Sequence, residues 1–301
     1  MNDRISQDNE QREQRSLWEE AWRRFRKNRL AILSLAFLLL LAAVAAATMI
    51  WDFADGRAFY NAHVIKQNLR LRLKGPSAEH IFGLDEFGRD MFLRMLWGIR
   101  YSLFMGMAGI AFSTLLGGLI GAVAGYYKRL DNVLMRAMDV LLAIPSMLLA
   151  TAIVAALGPG LVNVLIAISI AYVPTFARTL RASVLTVKEQ EFIEAARSVG
   201  ADNGRIIMRY IVPNSLAPLI VQSTLGVAGA ILSIAGLSFL GLGIQPPVPS
   251  WGSMLSEAMP YMDQASYLAV LPGLAILVTC LGFNLLGDGL RDVLDPRLRI
   301  R

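Results

Sequence analysis

Few side chains in this 301-residue sequence can do chemistry, and their placement excludes most kinds of it. Its two histidines, His63 and His80, both fall in one polar stretch, 52–100, outside the long apolar segments. A serine or zinc protease centre inside those segments would therefore have no histidine as base or ligand. Gly287-Asp288-Gly289 suggests one half of an intramembrane aspartyl site, but no second aspartate stands at matching depth, and a helix end meeting cytoplasm explains it. Cys280 is the single cysteine, so no intramolecular disulfide forms, and it reads as a small packing residue. The phosphate-cradling pattern G-x-x-x-x-G-K-[ST] is absent. The expectation is a chain with no catalytic residue, no cofactor and no metal of its own. Anything it drives uphill must draw energy from another subunit.

One stretch does stand out, EFIEAARSVGADNGRIIMRYIVPN at 191–214, a polar helical hairpin between apolar blocks. Phe192, Ala195, Ala196 and Val199 recur at i, i+3, i+4 and i+7, a mostly small stripe that lets another surface approach the backbone. Gly200 is placed to take the left-handed conformation that ends a helix. A second helix follows from Asn203 to about Tyr210, with Arg205 and Arg209 outward, and Pro213 marks entry to the next apolar block. On these grounds alone the hairpin reads either as a solvated connector or as a docking surface.

The elements that carry it are set by hydropathy. The sequence is 55% hydrophobic and 17% charged, outside the range of soluble domains. Residues 31–50 form an uncharged run that as a helix rises ~30 Å, the depth of a bilayer's hydrocarbon core. Charge-free blocks follow at 101–127, 140–177, 211–256 and 264–287. Gly158-Pro159-Gly160 splits the second of these, giving six spans in an all-α polytopic membrane protein. A cleavable signal, suggested by Ala43-Val44-Ala45, is disfavoured by the length of the run and the mixed charges before it. Lys and Arg concentrate before residue 31 and in 128–139, 178–210 and 288–301, which places those segments and both termini in the cytoplasm. The basic residues of 52–100 run against that trend, but long translocated loops escape the rule. The net charge of +6 is thereby assigned to orientation in lipid, with no nucleic acid needed. In SLWEEAWRRFRKNRLA, the residues Leu17, Trp18, Trp22 and Phe25 at helical spacing suit a helix lying on the inner leaflet, with a partner-binding helix as the alternative.

No charge is expected within the spans, where each costs about 3 kcal/mol or more, so ion coupling is not expected either. Gly117, Gly121 and Gly125 recur every fourth residue, the spacing of close helix packing. Pro145, Pro174, Pro218 and Pro272 lie in or near spans and can kink them. Gln222, Ser223, Thr224, Ser233 and Asn284 are candidates for lining a polar path, and equally for bonding between helices.

Glu194-Ala195-Ala196, Gly200 and Ile211-Val212-Pro213 resemble the cytoplasmic EAA loop of ABC importer permeases. His80-Ile81-Phe82-Gly83-Leu84-Asp85-Glu86-Phe87-Gly88-Arg89-Asp90 resembles H-x-F-G-T-D-x-x-G-R-D of dipeptide, oligopeptide and nickel permeases, with Leu84 in place of Thr. Leu237-Ser238-Phe239-Leu240-Gly241-Leu242-Gly243, Gln245-Pro246-Pro247, Trp251-Gly252 and the segment 283–292 also match, pointing to the second, shorter-looped permease of a pair. The resemblance implies a type I ABC importer permease in the cell inner membrane: a tail at 1–30, a first span at 31–51, a periplasmic loop at 52–100, a five-helix core at 101–290 with the EAA loop at 178–213, and a tail at 291–301. It implies as partners a homologous permease, two cytoplasmic ATPases that use ATP and Mg, and a periplasmic solute-binding protein. Glu194, Ala195, Ala196, Gly200 and Pro213 would couple to the ATPases. The binding protein would dock on 52–100 and 244–266, with Pro246, Pro247, Pro249 and Trp251 as a stiff aromatic surface. An energy-coupled importer of short peptides is the expected function. A passive channel or scaffold anchoring a soluble partner is the alternative, and a membrane enzyme a distant third.

Overall fold

The computed structural model describes Arg23 and residues 25–294. Of the residues that mark the expected N-terminal surface helix, Leu17, Trp18 and Trp22 lie outside the described residues, as does 295–301.

Among the described residues, five helices are long and apolar enough to cross a membrane: α1 (Arg29–Ala54), α2 (Met91–Tyr126), α5 (Leu161–Lys188), α7 (Asn203–Phe239) and α9 (Tyr267–Leu294). A further apolar stretch is a pair, α3 (Lys128–Leu142) and α4 (Ser146–Leu157), bent by 85°, which brings the number of crossings to six if the pair counts as one span. Two shorter α-helices are α6 (Glu191–Ser198) and α8 (Trp251–Ala258), with single helical turns at Tyr60–Val64, Leu69–Leu71 and Met259–Tyr261. The outward side chains are apolar on many helices. Leu33, Leu115, Leu232 and Leu277 are each more than half exposed, which water would penalise and lipid does not.

Two boundaries differ from the expected ones. Helix α2 begins at Met91, ten residues before the expected 101, because the Asp90 carboxylate caps it by accepting from the Leu93 N–H at 3.1 Å. A charge-free criterion stops at Arg100, yet Arg94 and Arg100 are both buried in the first turns of this helix. The third span does not run straight from 140. Pro145 lacks an amide hydrogen and is extended (ψ 132°), so the helix breaks there and α4 starts afresh. Helix α4 has 12 residues and rises ~18 Å, short of a bilayer core on its own. Helix α3, expected as a positive cytoplasmic segment, is amphipathic. Its Asp131 and Asp139 pair with Arg181 and Arg178 of α5, both at 2.5 Å.

The most extensive packing is between α2 and α5. A Cβ on Gly117 would meet the Val173 carbonyl at 2.5 Å, and one on Gly121 would collide with the Ala177 carbonyl. The two backbones therefore touch, as the glycine spacing predicts. Helix α7 packs on α9, α2 and α5, α1 leans on α9 and α2, and α8 sits against α7, α9 and α2. Cys280 is half-buried in α9, its thiol 3.4 Å from the Ala228 carbonyl of α7.

Candidate functional site

The hairpin begins when α5 ends and Gln190 turns extended. Helix α6 carries Glu191 and Glu194 in its first turn and Arg197 in its last, complementing its dipole. Gly200 follows with φ +86°, a conformation that costs an ordinary L residue about 1–2 kcal/mol. Asp202 then caps α7 by accepting from the Arg205 N–H at 3.2 Å. Ile193, Ile206 and Ile211 are fully buried and hold the hairpin to the chain. Tyr126, at the end of α2, donates to Asn203 at 2.5 Å, and Lys188 donates to the Tyr126 carbonyl at 2.9 Å.

The opposite side of the hairpin is bare. Phe192 is 43% exposed, Val199 89% and Met208 69%, with Ala195 also exposed and Ala196 half-buried. Glu194 is exposed and has no ion-pair partner among the described residues. The predicted stripe thus points away from the chain around Gly200. Pro213 is exposed and lies inside a continuous helical run from Asn203 to Phe239, past a π-helical turn at Ile206–Ile211.

The five polar span residues do not gather into one lining. Ser223 bonds across to Thr114 of α2 at 3.0 Å, and Ser233 lies 3.4 Å from the Tyr172 hydroxyl of α5. Thr224 donates to the Ile220 carbonyl of its own helix at 3.0 Å. Gln222 is half-buried and Asn284 exposed, and neither amide has a bonding partner among the described residues.

At the other end, sequence reasoning missed a buried cluster of charges. Arg89 reaches Asp85 at 2.6 Å, Glu86 at 3.1 Å and Glu257 at 2.9 Å. Arg94 of α2 reaches Glu257 at 2.9 Å, and its Nε lies 3.3 Å from Asp85 without hydrogen-bond alignment. Both guanidiniums are 1% exposed. Loop 80–90 is thereby clamped to α2 and α8. His80 meets Asp90 at 2.8 Å, so it too is a structural partner. A second buried pair, Arg100 with Asp52 at 2.6 Å, joins α2 to the end of α1, and the Trp97 indole donates to the same carboxylate at 2.9 Å. One signal was available: Glu257 is the sole charged residue between Arg209 and Asp263. Trp251, expected as a surface anchor, is instead 2% exposed, its indole donating to the Met95 carbonyl at 3.2 Å.

This arrangement has an exposed apolar face at one end and a buried charge clamp at the other. Residues 91–300 match the family described as binding-protein-dependent transport system inner membrane component, and 16–76 match the N-terminal TM domain of oligopeptide transport permease C. The dipeptide transport system permease protein DppC of Alkalihalophilus pseudofirmus is 46% identical, over 94% of this chain and 91% of that protein. The glutathione transport system permease protein GsiD of Escherichia coli is 46% identical, over 95% and 92%. Among solved structures, an inward-facing MetNI methionine ABC transporter superposes with a TM-score of 0.56 at 17% identity, over 67% of this chain and 97% of that one. The fold is therefore that of a type I ABC importer permease. With its bare inner hairpin and its family match over most of its length, the chain belongs to the binding-protein-dependent transport system inner membrane components, as a non-catalytic permease subunit of an ABC transport complex.

Proposed function

We propose that this chain is the second permease of an importer for short peptides or related small solutes, in a pair with a homologous permease. The names of its relatives, dipeptide and glutathione permeases among them, support that substrate class. Both termini lie in the cytoplasm, as the distribution of Lys and Arg supports. One of two cytoplasmic ATPases grips the hairpin at 191–214, and a periplasmic solute-binding protein delivers substrate to the outer loops. Glu194, Ala195, Ala196, Gly200 and Pro213 belong to the coupling region. Gln222, Thr224 and Asn284, which bond to no other helix, are the residues left to line the path, whereas Ser223 and Ser233 serve packing as well.

The observation that carries the coupling role is the two-sidedness of the hairpin: three isoleucines fully buried beneath, and Phe192, Val199 and Met208 exposed above. A free connector has no reason to be anchored so firmly while presenting apolar surface to water. ATP binding would close the ATPases, and the hairpin would carry that motion to the spans. Replacing Gly200 with Asp tests this, since the left-handed turn and the apolar face would both suffer. Uptake by the reconstituted complex is expected to fall at least tenfold while the chain still inserts. Undiminished uptake would remove the coupling role.

A further inference from the structure

The clamp at the outer end is short of one positive charge. Asp85, Glu86 and Glu257 each place a carboxylate oxygen within 4.8 Å of the other two. Facing them are two guanidiniums, Arg89 from the loop and Arg94 from α2. Three negative charges against two positive leave one in excess, in a cluster whose arginines are 1% exposed. The surrounding elements do not supply the balance. His80 is engaged with Asp90, and the Tyr267 hydroxyl of α9 donates to the carbonyls of Leu84 and Lys74. In addition, Glu257 Oε1 is buried and accepts no hydrogen bond, although its companion Oε2 receives two. An orphaned acceptor beside two other carboxylates is the site where an acidic hydrogen would be held.

We infer that the outer clamp is a proton-binding site, in which one proton carried by Glu86, beside the Glu257 carboxylate, completes the join between loop 80–90 and α8. A proton supplies the missing charge without displacing either guanidinium. A divalent cation in the same place would face both of them at close range. Burial and the adjoining Asp85 and Glu257 carboxylates push the Glu86 carboxyl up to about 7, against the pull of Arg89. The raised value means that the folded clamp holds its proton where the unfolded chain has released it. Its contribution is full at low pH and is lost as pH climbs from about 4.5 through about 7. The two segments it joins are the outer surfaces at which the proposed function places substrate delivery, so the inference about transport rests on that reading. Delivery then weakens as the external medium turns alkaline.

Difference infrared spectroscopy on the intact, purified transporter reads the proton itself. At about pH 6 a protonated-carboxyl band is expected that fades by about pH 8 and is missing from Glu86→Gln. Glu257→Gln, which removes a neighbouring negative charge, should move the fading to lower pH. A wild-type spectrum identical to that of Glu86→Gln in this band, across the whole range, would overturn the site. Uptake into proteoliposomes at varied external pH reads the consequence. The wild type is expected to lose activity several-fold relative to Glu86→Gln between about pH 6 and pH 8. A band that behaves as expected beside a flat uptake ratio would uphold the proton site and overturn its link to delivery.

Discussion

The two ends of this permease are built on opposite principles. At the inner end, buried isoleucines carry a short hairpin whose other side is apolar and open. At the outer end, the guanidiniums of Arg89 and Arg94 are folded inward and Trp251 is covered, although Ile81 and Met259 beside them stay exposed. The inner end leaves its surface free energy unspent, while the outer end consumes its charges internally. On the proposed function, the hairpin presents a ready-made contact surface to a permanent partner. The other end would receive a visitor and must hold its own shape, and buried charge pairs fix geometry even where they add little net stability.

The sharpest way to break this contrast is Arg94→Met. It strips one guanidinium from Asp85 and Glu257 and leaves buried charge uncompensated, at an expected cost of about 3–5 kcal/mol. Thermal unfolding in detergent should show a large drop; a change near zero would mean that the clamp is not a structural unit. Next comes the middle of the molecule, where neither principle applies. Gly121→Val forces a side chain against the Ala177 carbonyl and should cost about 1–3 kcal/mol, with loss of yield as the first sign. At the inner end, Val199→Ser should alter stability by under about 0.5 kcal/mol, since the side chain is 89% exposed. The same change should lower ATP-driven uptake several-fold. A variant whose uptake matches the wild type would erase the distinction drawn for that end. The smallest effect is expected from Arg178→Ala. Its pair with Asp139 is more than half exposed and is worth no more than about 1 kcal/mol. A large destabilisation there would show that the bend between α3 and α4 depends on that pair.

Much of this was legible in the residues. Uncharged runs locate the crossings because a bilayer tolerates few charges, and the glycines four apart locate the α2–α5 seam because nothing bulkier fits between the backbones. Gly200 was legible for a similar reason, since few residues other than glycine sit comfortably at φ +86°. What escaped were features that depend on a distant partner. Arg94 and Arg100 mark a loop by composition, yet sit buried in α2 because Glu257 and Asp52 neutralise them. Glu257 comes from a helix 163 residues further along, a pairing that local pattern does not reveal. The break at Pro145 was visible as a kink, but its size of 85° is not encoded by the proline alone. Ser223 and Ser233 could be read as pore or as packing until Thr114 and Tyr172 were found opposite them.

The glycine seam has a mechanical consequence. Two helices in backbone contact have no rotamers between them to rearrange, so α2 and α5 cannot slip past one another without opening a void. Any swing that passes from one face of the membrane to the other must therefore turn them together, like the two leaves of a riveted beam. The compliance must then lie at the rim, in the elbow before Pro145 and in the helices interrupted by Pro218 and Pro272.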